Sequence, residues 1–138
     1  MSVADAGFLI SLIDADDRRH ASCARVMRGL TRAPITTWPA LTEAMHILGR
    51  LSGWRGLDTI WQMVLRAELD PRDVPPEGRR RCYELMASYR DVPMDLADAT
   101  LVALAEAEND WQILTLDSHF RIYRPRGHGA FDILPDGE

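Results

Sequence analysis

Four acidic residues lie where a catalytic centre is expected in this sequence: Asp5, Glu43, Asp98 and Asp117. Two of them end predicted strands, and the other two lie near the starts of predicted helices. Because ligands bind beyond the carboxyl ends of strands in an open parallel sheet, we expect these side chains to meet. Carboxylate oxygens suit Mg²⁺ or Mn²⁺. Such ions polarise a phosphodiester and activate water, so the pattern indicates metal-assisted phosphoryl chemistry.

Three of these acids also have a simpler structural interpretation. Asp98 follows Asp95 by three residues, which resembles a capping box, and acids in a first turn favour the helix dipole. Asp95 replaces Asp98 as the candidate ligand if the helix begins later than predicted. Asp117 is also suited to opening the turn before Ser118. Glu43 is also typical of an exposed position on an amphipathic helix.

Polar residues near the last acid are secondary candidates. Thr115 and Ser118 are suited to contacting phosphate or supporting the acids, although simple strand and turn roles explain them equally well. Three further residues are candidates for binding phosphate groups: Arg121, Arg124 and Arg126. Surface solvation explains any one of them, and codon usage in a GC-rich genome explains why all sixteen cationic side chains of the chain are Arg.

The net charge of −5 has the wrong sign for a protein that holds nucleic acid by bulk electrostatics. The four candidate acids supply four of those negative charges, and bound divalent cations would neutralise them locally. Arg also forms bidentate contacts with phosphate. An acidic chain of this kind therefore remains able to bind a polyanion at one site.

Short apolar strands alternate with amphipathic helices, the pattern of an α/β domain with a mostly parallel sheet and helices on both faces. The predicted strands are Ser2–Ala4, Ala33–Thr37, a short one near Glu68–Asp70, Trp111–Leu116 and Phe131–Leu134. The predicted helices are Gly7–Asp14, one through Ala21, Ala24 and Met27, Pro39–Ser52, Leu57–Arg66, Pro76–Tyr89, and one from the N-cap Asp95 to about Asn109. Residues 70–76 are predicted to be a turn region.

The length of 138 residues predicts a single domain over residues 1–138. The longest apolar run is far below the roughly 20 residues that a membrane span needs. The first residues have no basic or long apolar segment of a signal peptide, so we expect a cytoplasmic protein.

Helical spacing predicts a buried stripe on the third helix, formed by Leu41, Ala44, Leu48 and Leu51. Cys23 and Cys82 are expected to be buried thiols.

Four sequence segments in series carry a resemblance to a known family. They are Val3-Ala4-Asp5 with Phe8-Leu9-Ile10, Pro39-Ala40-Leu41-Thr42-Glu43, Met94-Asp95-Leu96-Ala97-Asp98-Ala99, and Ile113-Leu114-Thr115-Leu116-Asp117-Ser118-His119-Phe120. In their order and spacing the chain resembles the PIN-domain ribonucleases, most closely the toxins of VapC-type toxin–antitoxin pairs. The resemblance covers essentially the whole chain.

The resemblance implies a three-layer α/β/α sandwich and Mg²⁺- or Mn²⁺-dependent cleavage of RNA, leaving 5′-phosphate and 3′-hydroxyl ends. It implies metal ligation at the matching residues Asp5, Glu43, Asp98 and Asp117. It also implies a homodimer and an antitoxin partner whose C-terminal segment covers the active site. The sequence departs from the family pattern at two positions. Ala6 replaces a common Ser or Thr, so a hydroxyl near the metal is missing. His119 replaces a common Asp, which is expected to weaken the second metal site.

These observations favour a metal-dependent endoribonuclease, with water as the nucleophile. The alternative is a catalytically degenerate PIN-like module that binds RNA or protein without cleavage. A receiver-like domain phosphorylated on Asp is disfavoured, because the chain has no Lys to contact an acyl phosphate.

Overall fold

The computed structural model describes residues 1–136, so the last two residues of the predicted domain lie outside the described part. Within it, the strands are β1 (Val3–Ala4), β2 (Ile35–Thr37), β3 (Asp70–Arg72), β4 (Gln112–Leu114) and β5 (Asp132–Leu134). The helices are α1 (Ala6–Ile13), α2 (His20–Gly29), α3 (Trp38–Ser52), α4 (Trp54–Leu65), α5 (Gly78–Ser88) and α6 (Leu96–Glu108). A 3₁₀ helix, Ser118–Arg121, follows β4.

The strands form one sheet in the order β3-β2-β1-β4-β5, and every pairing is parallel. In the centre, Val3 of β1 lies opposite Ile35 on one side and Ile113 on the other. The chain runs outward from β1 to β3 and then returns to the other side of β1 for β4. This reversal opens a crevice at the carboxyl ends of β1 and β4, where open α/β sheets bind ligands.

The two faces of the sheet are covered by separate groups of helices. Alternate strand residues point to opposite faces. Val3 and Ile113 pack into a core with α5 and α6, whereas Ala4 and Leu114 pack into a core with the first four helices. The predicted three-layer α/β/α sandwich is therefore confirmed.

Two local predictions are wrong. Residues 70–73 were predicted to be a turn, but Asp70–Arg72 form β3. Pro71 is tolerated there because β3 is an edge strand, which does not need every backbone N–H for the sheet. Leu51 was predicted to be buried, but it lies in the last turn of α3 and is 57% exposed. Helical periodicity does not reveal where a helix extends past the layer that covers it.

Other predictions about the core hold. Leu41, Ala44 and Leu48 are buried, as are Cys23 and Cys82. Within residues 1–136, no helix combines the length and the apolar character that a membrane span requires.

Candidate active site

Asp5 joins the end of β1 to the start of α1. Its backbone N–H donates to the Leu114 carbonyl of β4, which continues the β1–β4 pairing. Its carboxylate caps α1, because Oδ1 accepts a hydrogen bond of 2.9 Å from the Phe8 N–H. The other oxygen, Oδ2, accepts a hydrogen bond from the Thr115 hydroxyl. Asp5 is only 6% exposed, and both of its carboxylate oxygens are held in place.

Thr115 and Asp117 follow β4 and lie beside Asp5 in the crevice. The Thr115 hydroxyl donates to Asp5 and accepts a hydrogen bond of 2.9 Å from the Asp117 N–H, so one side chain orders both acids. Asp117 caps the 3₁₀ helix, with its Oδ1 accepting from the His119 N–H at 2.9 Å. The His119 ring nitrogen Nδ1 lies 3.2 Å from the same oxygen.

Asp95 and Asp98 come from the start of α6. Asp95 is the N-cap, and its Oδ1 accepts a hydrogen bond of 2.8 Å from the Asp98 N–H. The Asp98 carboxylate lies one turn into the helix, where its Oδ2 accepts a hydrogen bond of 3.0 Å from the Tyr123 hydroxyl. The alternative capping interaction between these two residues is therefore present, and Asp95 is the residue that caps the helix.

All these acids line one cavity of about 310 Å³, together with Glu43 from α3. The acidic residues of its wall are Asp5, Glu43, Asp95, Asp98 and Asp117. The other lining residues are Ala6, Gly7, Ala97, Leu101 and Leu116. No basic side chain lines this cavity among the described residues, so the cavity is strongly anionic.

Three acids of this cavity have raised pKa values. Burial, followed by the charges of Asp98 and Asp117, raises the pKa of Asp5 to about 7, although the hydrogen bonds to its carboxylate act in the opposite direction. Burial and then the neighbouring Asp95 charge raise the pKa of Asp98 to about 6. Burial and the charges of Asp95 and Asp117 also raise the pKa of Glu43. The carboxylates therefore repel one another, and a cation placed among them would relieve this repulsion.

The donor set fits a hard divalent cation. Every polar side chain of the cavity wall is a carboxylate, and oxygen is the ligand atom that Mg²⁺ and Mn²⁺ prefer. Within residues 1–136, however, no three acidic, His or Cys side chains already form a closed ligand cluster. This openness is compatible with Mg²⁺, which keeps several waters and takes one or two carboxylates.

The secondary candidates form two groups, and the first group lies next to the acidic cavity. Thr115 and Ser118 line a small neighbouring cavity of about 50 Å³, which also contains Asp117, Arg19 and Arg121. Arg121 thus lies on the same side of the molecule as the acidic cavity. The Arg19 side chain was not predicted as a site residue, because it lies in a segment that the sequence marks only as a polar break.

The other two arginines contact protein atoms. Arg124 donates from its guanidinium group to the backbone carbonyls of Arg121 and Tyr123, at 2.6 and 3.1 Å. Arg126 pairs with Glu84 at 3.3 Å and donates its backbone N–H to Glu106. Glu106 is about 12 Å along α6 from Asp98, given the rise of the helix, so Arg126 is remote from the acidic cavity.

Sequence reasoning missed Tyr123, which binds Asp98 from a position 25 residues away. Its aromatic type only predicts burial. The spacing between the two residues has no local meaning, so no sequence signal identifies the pair.

Known proteins share this fold and sequence pattern. The family model described as PIN domain matches residues 2–124. Ribonuclease VapC26 of Mycobacterium tuberculosis is 22% identical over 134 residues, which cover 96% of this chain and 99% of the relative. The crystal structure of VapC20 from the same organism, a toxin that cleaves the sarcin–ricin loop, has a TM-score of 0.78 at 19% identity, covering 86% of this chain and 91% of that one.

A further solved structure is VapBC2 of Rickettsia felis, bound to a DNA fragment from its promoter. It has a TM-score of 0.68 at 13% identity, covering 88% of this chain and 91% of that one. A toxin–antitoxin complex from Klebsiella pneumoniae has a TM-score of 0.64 at 16% identity, with 86% and 88% covered. The family model spans most of the chain and the fold agrees with it, so the chain belongs to the PIN domain family.

Proposed function

We propose that this protein is a divalent-metal-dependent endoribonuclease of the VapC toxin type. The observation that carries the proposal is the gathering of five carboxylates from four parts of the chain in one cavity at the carboxyl ends of β1 and β4. The names of the relatives, Ribonuclease VapC26 and the sarcin–ricin loop cleaving toxin VapC20, support RNA as the substrate class.

In this proposal Asp5, Glu43, Asp98 and Asp117 hold Mg²⁺ or Mn²⁺. When bound, the cation supplies Lewis-acid polarisation of the scissile phosphate and a lower pKa for the attacking water. The carboxylates by themselves repel a phosphodiester, so the cavity accepts RNA only when its charge is neutralised. Asp95 remains a secondary candidate, with one oxygen already used by the α6 cap.

The Arg121 side chain supplies the phosphate contact. It lines the small cavity that shares Asp117 with the acidic one, which supports a contact with the RNA backbone next to the reacting phosphate. Thr115 holds Asp5 by its hydroxyl, and Ser118 lies beside Arg121 as a further donor. The cleavage leaves 5′-phosphate and 3′-hydroxyl ends.

The relatives support an antitoxin as a proposed partner. The Rickettsia felis and Klebsiella pneumoniae structures contain toxin–antitoxin pairs, which supports a cognate antitoxin for this chain. The family resemblance supports a homodimer, and the cytoplasm is the proposed place of action. Co-expression with the product of an adjacent small reading frame, followed by size-exclusion chromatography with light scattering, tests both partners.

The activity is tested with purified protein and an RNA pool that includes ribosomal RNA, in Mn²⁺ and in EDTA. We expect cleavage only with the metal, and we expect Asp98→Asn to lower its rate by about 100-fold or more, because it removes a carboxylate from the site. Asp132→Asn is the matched control, since it removes the same charge from an exposed position on β5.

Full activity in Asp98→Asn would contradict the assignment of the site. A wild-type protein that binds RNA, cuts none of it and binds no Mn²⁺ would instead support the degenerate binding module. Two observations favour that second candidate. Residues 1–136 contain no preformed ligand cluster, and Ala6 provides no hydroxyl.

A further inference from the structure

Tyr123 is a fully buried residue in the segment that follows the 3₁₀ helix. Its ring packs edge-on against Phe120 and against Tyr89 of the segment after α5, with ring centroids 5.1 Å apart in both pairs. Edge-to-face contacts of this kind fix the plane of a ring. The position of the phenol oxygen is therefore set by the core and is independent of the solvent.

The Tyr123 hydroxyl contacts Asp98, one of the acids that line the acidic cavity. It donates a hydrogen bond of 3.0 Å to Oδ2 of Asp98, and no other described side chain contacts that carboxylate by a hydrogen bond. A buried hydroxyl needs a partner, and here its partner is one of the proposed metal-binding acids. The bond also restricts rotation of the Asp98 carboxylate and engages Oδ2, while no described residue donates to Oδ1.

We propose that Tyr123 is a positioning residue, which through its hydrogen bond to Oδ2 fixes the orientation of the Asp98 carboxylate toward the divalent cation. The inference rests on the proposed function and adds a residue to it. Groups that hydrogen-bond to a metal ligand orient it, and their removal commonly lowers metal affinity by about 10- to 100-fold.

Tyr89 offers a matched control from the same aromatic cluster. Its hydroxyl accepts a hydrogen bond of 2.9 Å from the Arg124 backbone N–H, and it contacts none of the cavity acids. Tyr89→Phe and Tyr123→Phe therefore remove the same atom and keep the same ring packing. They differ in whether that atom touches Asp98.

The test measures the Mn²⁺ dissociation constant by calorimetry or electron paramagnetic resonance, without RNA. We expect Tyr123→Phe to weaken Mn²⁺ binding by about tenfold and Tyr89→Phe to leave it within about twofold of wild type. In an Asp98→Asn background, Tyr123→Phe should have no further effect, because the carboxylate it positions is gone. Thermal unfolding of each variant shows whether it is folded.

Two results would overturn the inference alone: Mn²⁺ binding by Tyr123→Phe equal to that of the wild type, or an equal loss of binding in the Asp98→Asn background. The latter would mean that the hydroxyl acts through general packing. If the wild type binds no Mn²⁺ at all, the proposed function fails together with the inference, so the two failures are distinguishable.

Discussion

The Asp5 carboxyl group changes its protonation state near neutral pH when the chain folds. Its pKa rises from the ordinary 3.8 to about 7, first because it is buried and then because of its acidic neighbours. Between these two pH values the folded chain binds a proton that the unfolded chain has released. The free energy of unfolding of the metal-free protein therefore falls as the pH rises through this window.

This linkage predicts that Asp5→Asn stabilises the metal-free protein at pH 8. The neutral amide avoids burying a charge and still accepts the Phe8 hydrogen bond that caps α1, and this gain is larger than the loss of the oxygen that accepts from the Thr115 hydroxyl. We expect a gain on the order of 1–4 kcal/mol at pH 8, or several degrees in Tm, and little gain at pH 4. Calorimetric unfolding in EDTA measures it.

Saturating Mn²⁺ should reduce or reverse that difference, because the cation stabilises the folded wild type by binding to it. Asp132→Asn serves as the control, since its carboxylate is exposed. A destabilised Asp5→Asn protein at pH 8 in EDTA would contradict the expectation that burial of the Asp5 charge outweighs its hydrogen bonds.

The start of α6 is the element that places two acids in the cavity. Asp95 caps the helix with one oxygen, and Asp98 lies one turn later. Asn109 ends the helix in the left-handed conformation, with φ of 51°. These local signals are why the position of this helix was predictable from the sequence.

A pair of substitutions at Asp95 separates capping from metal binding. Asp95→Ser retains a capping hydroxyl, so we expect near wild-type stability and most of the cleavage rate. Asp95→Ala removes the cap and should cost about 1 kcal/mol of stability. Urea unfolding and Mn²⁺-dependent RNA cleavage measure the two effects. Loss of cleavage in a stable Asp95→Ser protein would identify Asp95 as a ligand.

At the scale of the whole molecule, one ion pair joins α5, α6 and the loop that carries Tyr123. Arg81 donates two hydrogen bonds of 2.8 Å to the two carboxylate oxygens of Glu106, and the Arg126 N–H adds a third. The ring of His128 stacks on Trp111 with the ring centroids 4.9 Å apart, and this contact also stabilises the position of the loop. These contacts therefore hold the Arg126 and His128 part of the loop at the end of α6 that lies away from the cavity.

Glu106→Ala is expected to lower the free energy of unfolding by about 2–4 kcal/mol, because it leaves a largely buried Arg81 guanidinium and a backbone N–H without their acceptor. Glu108→Ala is the matched control, since its pair with Arg72 is about one-third exposed and should contribute less than about 1 kcal/mol. Equilibrium unfolding in urea compares them. Equal losses of unfolding free energy in the two variants would show that the buried ion pair contributes no more stability than the exposed one.

The sequence by itself determined the α/β class, the approximate positions of the main helices and strands, and the chemical nature of the candidate site. Hydrophobic periodicity, caps such as Asp95 and turn residues act over a few positions, so they can be recognised along the chain. Carboxylates at the ends of predicted strands also pointed to the cavity edge, because parallel strands end on the same side of a sheet.

Only the tertiary structure decided which of these residues touch. Thr115 bonds to Asp5 across 110 positions, Tyr123 to Asp98 across 25, and Arg81 to Glu106 across 25. Such pairs depend on the order of the strands and on how the helices pack, which local patterns do not encode. For the same reason Arg121 lies near the acids while Arg126 is remote from them, although the two are only five positions apart in the sequence.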